Sequence, residues 1–239
     1  MNDIVEGLRI KIFADGAEVS QIAGLAADPL IRGFTTNPTL MRQAGVADYA
    51  TFVKELTAQI PDKPISFEVI SDDFAEMERQ ALNLREFGDN VFVKIPITNT
   101  AGVSATPAMA RLAAAGVSVN ATALMTIEQV RGAAAALAGG PDAVISVFAG
   151  RIADAGVEPG PVMAQAKAAI ADHANLELLW ASPREVLNVL QADQAGCDII
   201  TLTPDLLRRL PLLGRDLEDF SLATVQMFRD DAVAAEYEF

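Results

Sequence analysis

Eight short apolar runs, separated by stretches of helical period, constrain this chain more than any other feature. They are RIKIFADG (9–16), IRGFTTNP (31–38), PISFEVIS (64–71), VFVKIPIT (91–98), VSVNATAL (117–124), AVISVFAG (143–150), LELLWASP (176–183) and DIITLTPD (198–205). Between them lie segments such as DFAEMERQALNLREFG (73–88), AGVSATPAMARLAAAG (101–116) and TIEQVRGAAAALAGG (126–140), ending in glycine as helices commonly do. Strands that alternate with helices pair in parallel, and near-continuous apolar strands belong to a sheet covered on both faces. Eight units of ~30 residues match a (β/α)₈ barrel of roughly 250 residues. No Pro/Ser-rich linker or composition shift divides the 239 residues. The expected architecture is therefore α/β: a single-domain TIM barrel over residues 1–239 with an extra C-terminal helix. A doubly wound open sheet is the alternative, but it usually carries a G-x-G-x-x-G turn after a strand, and none occurs here. The final segment, DLEDFSLATVQMFRDDAVAAEYEF (216–239), reads as a further amphipathic helix. It is expected to pack on its own barrel or on a neighbouring copy, and a homo-oligomer is expected.

Charge narrows the partners. With a net charge of −14, the chain lacks the basic face that nucleic acid or an anionic membrane requires, so any phosphate must be held by a few clustered cations. No apolar run reaches the ~20 residues of a membrane span. One cysteine, Cys197, cannot form an internal disulfide. Residues 1–20 lack the order of a secretion signal, and a cytoplasmic location is expected. His173 is the only histidine, which argues against histidine triads and multi-histidine metal sites.

Lys94 then stands out in VFVKIPIT, because an interior charges several kcal/mol for an unpaired ammonium. Side-chain alternation, with an all-apolar outer face, sends Lys94 into the barrel. It also sends Glu68 inward from ISFEVI, Asn120 and Thr122 from VSVNATAL, and Ser146 and Phe148 from AVISVFAG. Each of these strands carries its polar residue late, at the end where barrel enzymes gather their catalytic groups. Lys94, Asn120 and Ser146 are spaced one βα unit apart and are expected at similar heights. Asp15 in FADG, Asn37 in TTNP, Arg151 in GRI, and Ser182 with Arg184 in ASPRE complete the ring. Each has a plainer reading. Lys94 could be a structural partner of Glu68, Asp15 and Asn37 could be helix caps, and the arginines could form surface ion pairs.

Taken together, the ring suits amine chemistry. Desolvation disfavours a charged ammonium, and a neutral amine attacks carbonyls to give an iminium that serves as an electron sink. Asp15 and Glu68 are candidates to move protons, the asparagines and hydroxyls to hold a polyol, and the arginines with Ser182 to hold a phosphate. In FADG, GFTTNPTL, FEV, VKIP, NATAL, ISVFAGRI and ASPRE, in that order, the chain resembles the transaldolase family over nearly its whole length. The resemblance implies a cofactor-free, metal-free transfer of a dihydroxyacetone unit from a ketose phosphate to an aldose phosphate. It places Lys94 as the Schiff-base lysine, Asp15 as the acid/base, and Glu68 with Thr122 at a catalytic water. By the same resemblance Asn37, Asn120, Ser146 and Phe148 hold the substrate, and Arg151, Ser182 and Arg184 clamp the phosphate. The length is that of the short branch, which includes fructose-6-phosphate aldolases. Those typically carry glutamine where this chain has Glu68 and tyrosine where it has Phe148, so both residues tilt the resemblance toward transfer. Pro183 departs from the Phe or Lys common there in the family. Another class stays open: a sugar-phosphate-binding barrel without turnover.

Overall fold

The computed structural model describes residues 3–237. Eight parallel strands close into a barrel in sequence order: β1 Lys11–Asp15, β2 Ile31–Thr35, β3 Ile65–Glu68, β4 Val91–Pro96, β5 Val119–Leu124, β6 Ala143–Val147, β7 Leu176–Trp180 and β8 Ile199–Leu202, with β8 returning to pair with β1. Each strand falls inside its predicted run, and helices separate them.

Two cores follow from the alternation of side chains. Outward residues such as Phe34, Phe67, Val93 and Ile145 are fully buried between the strands and the helix layer. Burying one such side chain contributes roughly 1.5–3 kcal/mol, so this layer carries the stability. The inner core is smaller: Phe13, Val144, Leu179, Ala181 and Ile199, with Phe92 and Phe148 against it. Gly33 in β2 makes room for it, because a Cβ there would lie 2.5 Å from the Phe13 ring.

Helix starts follow the local sequence. Asp73 caps the helix Phe74–Arg85 by accepting from Glu76 N, and Thr126 with Gln129 forms a capping box on the helix Ile127–Leu137. The helix expected over 101–116 is shorter, Thr106–Ala114. Asn99 Oδ1 accepts from Val103 N, Gly102 takes φ +77°, and Thr98 bridges to Ser104, so residues 99–105 form a hairpin-like loop before the helix begins at Thr106, with Pro107 in its first turn. The C-terminal helix runs Leu217–Ala234 and has no buried residue.

Register places the polar ring. Glu68 pairs with Lys94 and Lys94 with Asn120, as equal spacing implies. Ser146 departs from that expectation: Asn120 pairs with Val144, and Ser146 lies one inward step further along β6. Beyond that pair the register jumps again, between Ala121 and Leu124, where Ala123 takes φ +64° in a β5 bulge.

Candidate active site

A cavity of about 500 Å³ opens at the C-terminal mouth of the barrel. Lys94 lies at its base, 6% exposed, its ammonium donating to the Thr36 carbonyl at 2.7 Å and lying 3.0 Å from Glu68 Oε2. The buried charge is thus compensated by a carboxylate and a carbonyl from the two strands before it, which is what such a group needs to stay inside.

Asp15, the last residue of β1, faces the same cavity. Thr35 Oγ1 donates to one of its oxygens at 2.9 Å, and Asn37 Nδ2 approaches the other at 3.5 Å. Burial pushes the Asp15 carboxyl above the usual carboxylate range; the charge of Lys94 and the Thr35 hydrogen bond pull back, and Glu68 adds to the rise. Asn37 has two roles, since its Oδ1 also accepts from Leu40 N and caps the helix Pro38–Gln43. Asp15 caps no helix.

On the far wall Asn120, 1% exposed, donates to Ser66 Oγ at 3.0 Å and accepts from Ser146 Oγ at 2.7 Å. This chain of three fixes which way the amide points. Thr122 Oγ1 is buried without a hydrogen-bond partner among the described residues, although Thr122 lines the cavity. Its hydroxyl is therefore left uncommitted at the cavity wall.

At the rim, Phe148, Arg151 and Ser182 line the cavity, with the Arg151 guanidinium 5.9 Å from the centre of the Phe148 ring. Ser182 holds φ +56°, and Gly150 packs against it so closely that a Cβ at 150 would come 1.6 Å from the Ser182 carbonyl oxygen. Arg184 does not line the cavity. It forms a two-pronged ion pair with Asp154, its Nε 3.1 Å from Oδ1. Apart from Arg184, all the predicted site residues meet in this one cavity.

Three more residues belong to the site. Thr201 Oγ1 lies 2.5 Å from Thr35 Oγ1, extending the Asp15 hydrogen bonds to β8. Both threonines are late, inward strand residues, so the alternation that picked out Lys94 could have found them. Tyr49 lies on the helix Tyr49–Gln59, and its hydroxyl donates to the Glu68 carbonyl at 2.7 Å, pinning the end of β3. Burial, followed by the charge of Glu68, raises its phenol well above the ordinary value and keeps it a donor. Nothing in the strand pattern signals a helix residue of this kind.

An amine, two carboxylates and a wall of amides and hydroxyls in one cavity can form an iminium and move protons on either side of it. Comparison with known proteins agrees in kind. The family model described as Transaldolase/Fructose-6-phosphate aldolase matches residues 12–238. A "Probable transaldolase" of a Chelativorans species is 35% identical over 215 residues, covering 88% of this chain and 94% of its own. Another, from Hyphomonas neptunium, is 37% identical over 216 residues, covering 88% and 95%. A solved Burkholderia cenocepacia structure superposes with a TM-score of 0.59 at 14% identity, over 95% of this chain and 86% of its own, a likeness of fold alone.

Proposed function

We propose that this chain, which belongs to the transaldolase/fructose-6-phosphate aldolase family, moves a dihydroxyacetone unit from a ketose phosphate to an aldose phosphate through a Schiff base on Lys94. The observation that carries the reading is the Lys94 amine, 6% exposed at the base of the cavity and 3.0 Å from Glu68. Glu68 is placed to take the ammonium proton, leaving a neutral amine to attack the ketose C2 carbonyl. The carbinolamine then loses water. Glu68 supplies the proton for that departure, and Thr122, with its uncommitted hydroxyl, orients the leaving oxygen.

With the iminium formed, the C3–C4 bond breaks. Its electrons flow to the iminium nitrogen to give an enamine, and the C4 hydroxyl proton passes to Asp15. A carboxyl held above its usual range accepts that proton readily and keeps it until the acceptor aldehyde arrives. The enamine carbon attacks that aldehyde, Asp15 returns the proton to the new hydroxyl, and water releases the product from Lys94. Asn120, aimed by Ser66 and Ser146, and Asn37 hold the hydroxyls of the bound unit. Arg151 and Ser182 receive the phosphate at the rim.

The names of the relatives support transfer over simple cleavage. Reduction with borohydride in the presence of fructose 6-phosphate, followed by peptide mass spectrometry, is expected to leave a sugar-derived adduct on the peptide containing Lys94. An adduct elsewhere, or none with folded protein, defeats the reading. Product analysis without an acceptor separates the two activities of the family: a transferase stalls after one turnover, whereas an aldolase releases free dihydroxyacetone continuously.

A further inference from the structure

The barrel has a second cavity, of about 400 Å³, at the opposite mouth, where the strands begin. This end of a TIM barrel ordinarily serves stability and is packed by layers of side chains. Here Phe13, Phe92, Val144 and Ile199 form an apolar floor, and charged residues stand around it. Lys11 is paired with Glu177. Lys63 donates to the Asp28 carbonyl at 2.9 Å and forms no ion pair among the described residues. Arg32 makes no ion pair among the described residues. Three cations, Lys11, Arg32 and Lys63, thus face two lining carboxylates, Glu177 and Asp62, which leaves a locally positive mouth on a chain of net charge −14.

One buried polar group reaches this cavity from within the barrel. Ser66 is 3% exposed, and its hydroxyl accepts from Asn120 but donates to no acceptor among the described residues. Its proton is available to an acceptor in the lower cavity.

We propose that the lower mouth is a binding site for a small organic anion, a phosphate or carboxylate carried on an apolar body. The anionic group meets Arg32 and Lys63, the Ser66 hydroxyl donates to an oxygen, and the apolar body covers Phe13 and Phe92. The volume suits such a molecule, since small-molecule sites commonly span ~300–1,000 Å³. Because Ser66 also holds Asn120, a hydrogen bond formed below alters the partner that aims the amide above. That consequence rests on Asn120 holding substrate; the binding site does not.

Isothermal titration calorimetry of the whole protein with phenyl phosphate tests the site. Wild type and Arg151→Ala are expected to bind it, and Arg32→Glu to bind it at least about tenfold more weakly, as loss of a charged hydrogen bond implies. Inorganic phosphate is expected to bind more weakly than phenyl phosphate; equal affinity would overturn the apolar half of the site. No binding at millimolar concentration, binding abolished by Arg151→Ala, or an Arg32→Glu isotherm like the wild type would each overturn the proposal. Arg32 lies outside the catalytic cavity, so the variant keeps its turnover. Phenyl phosphate should shift the KM for fructose 6-phosphate in Arg151→Ala, and no longer do so once Arg32→Glu is added. Failure of Lys94 to be trapped, with an isotherm that still follows Arg32, removes the proposed reaction and leaves the lower site standing.

Discussion

Replacing Asp15 with asparagine separates what the residue does for the reaction from what it does for the fold. Burial holds its carboxyl above the ordinary range, so the folded chain keeps that proton where the unfolded chain has released it. Through that window the folded state binds more protons, and stability falls as pH rises. Asp15→Asn removes this slope. Near neutral pH the variant is expected to be at least as stable as wild type in urea melts, with the difference closing as pH falls below the ordinary carboxylate range. Its turnover should drop about 10²–10⁴-fold, as for loss of an acid/base. The rim arginines make a second residue-scale case. Arg151 already faces the cavity, so Arg151→Ala should cost ~1.5–3 kcal/mol in kcat/KM for a phosphorylated donor and little for an unphosphorylated one. Arg184 must first leave Asp154, so Arg184→Ala should cost less, and Asp154→Asn should lower KM for the phosphorylated donor only. Equal effects on both donors would remove Arg151 and Arg184 from the clamp.

Elements show how far the sequence could be read. Strands were legible because parallel barrel strands are continuous apolar runs, and a late polar residue such as Lys94 or Glu68 is conspicuous against them. The β5 bulge was not, because alanine at 123 gives no sign of a left-handed conformation that glycine would have advertised. The same holds for Arg32, which reaches the lower mouth beside a register shift between β1 and β2. Tyr49 was hidden for another reason, since its reach to Glu68 depends on how a helix packs and not on any period. The terminal helix Leu217–Ala234 was legible as a helix, yet none of its residues is buried. Leu217, Val225 and Phe228 are more than half exposed. Most helical stability comes from packing an apolar face, so these exposed residues need a cover, and the expected one is a second copy of the chain. Sedimentation velocity should then give a species heavier than 25.3 kDa. Deleting 217–239 should return it to a monomer with almost no change in thermal midpoint; a large fall in midpoint would show that the helix supports its own barrel.

At the scale of the whole molecule, one closed sheet supports two chemically different ends. The upper mouth collects the late residues of the strands around an amine, while the lower mouth collects first residues such as Lys11 and Ile199 around an apolar floor. Only a thin inner core separates them, and the Ser66–Asn120 hydrogen bond crosses it. No helix among the described residues is long and apolar enough to cross a membrane. The contact between Gly150 and Ser182 also bears on how such a barrel could be given new substrates. With the carbonyl of 182 where a methyl group at 150 would have to be, the chain segments after β6 and β7 are locked to each other, and the Arg151 side of the rim has no room to vary. Thr39 and Gln43, on the opposite side of the same opening, carry no such constraint. Saturation mutagenesis followed by selection for turnover should return glycine alone at 150 and a broad range of residues at 39 and 43, so changes of acceptor would accumulate on one side of the mouth.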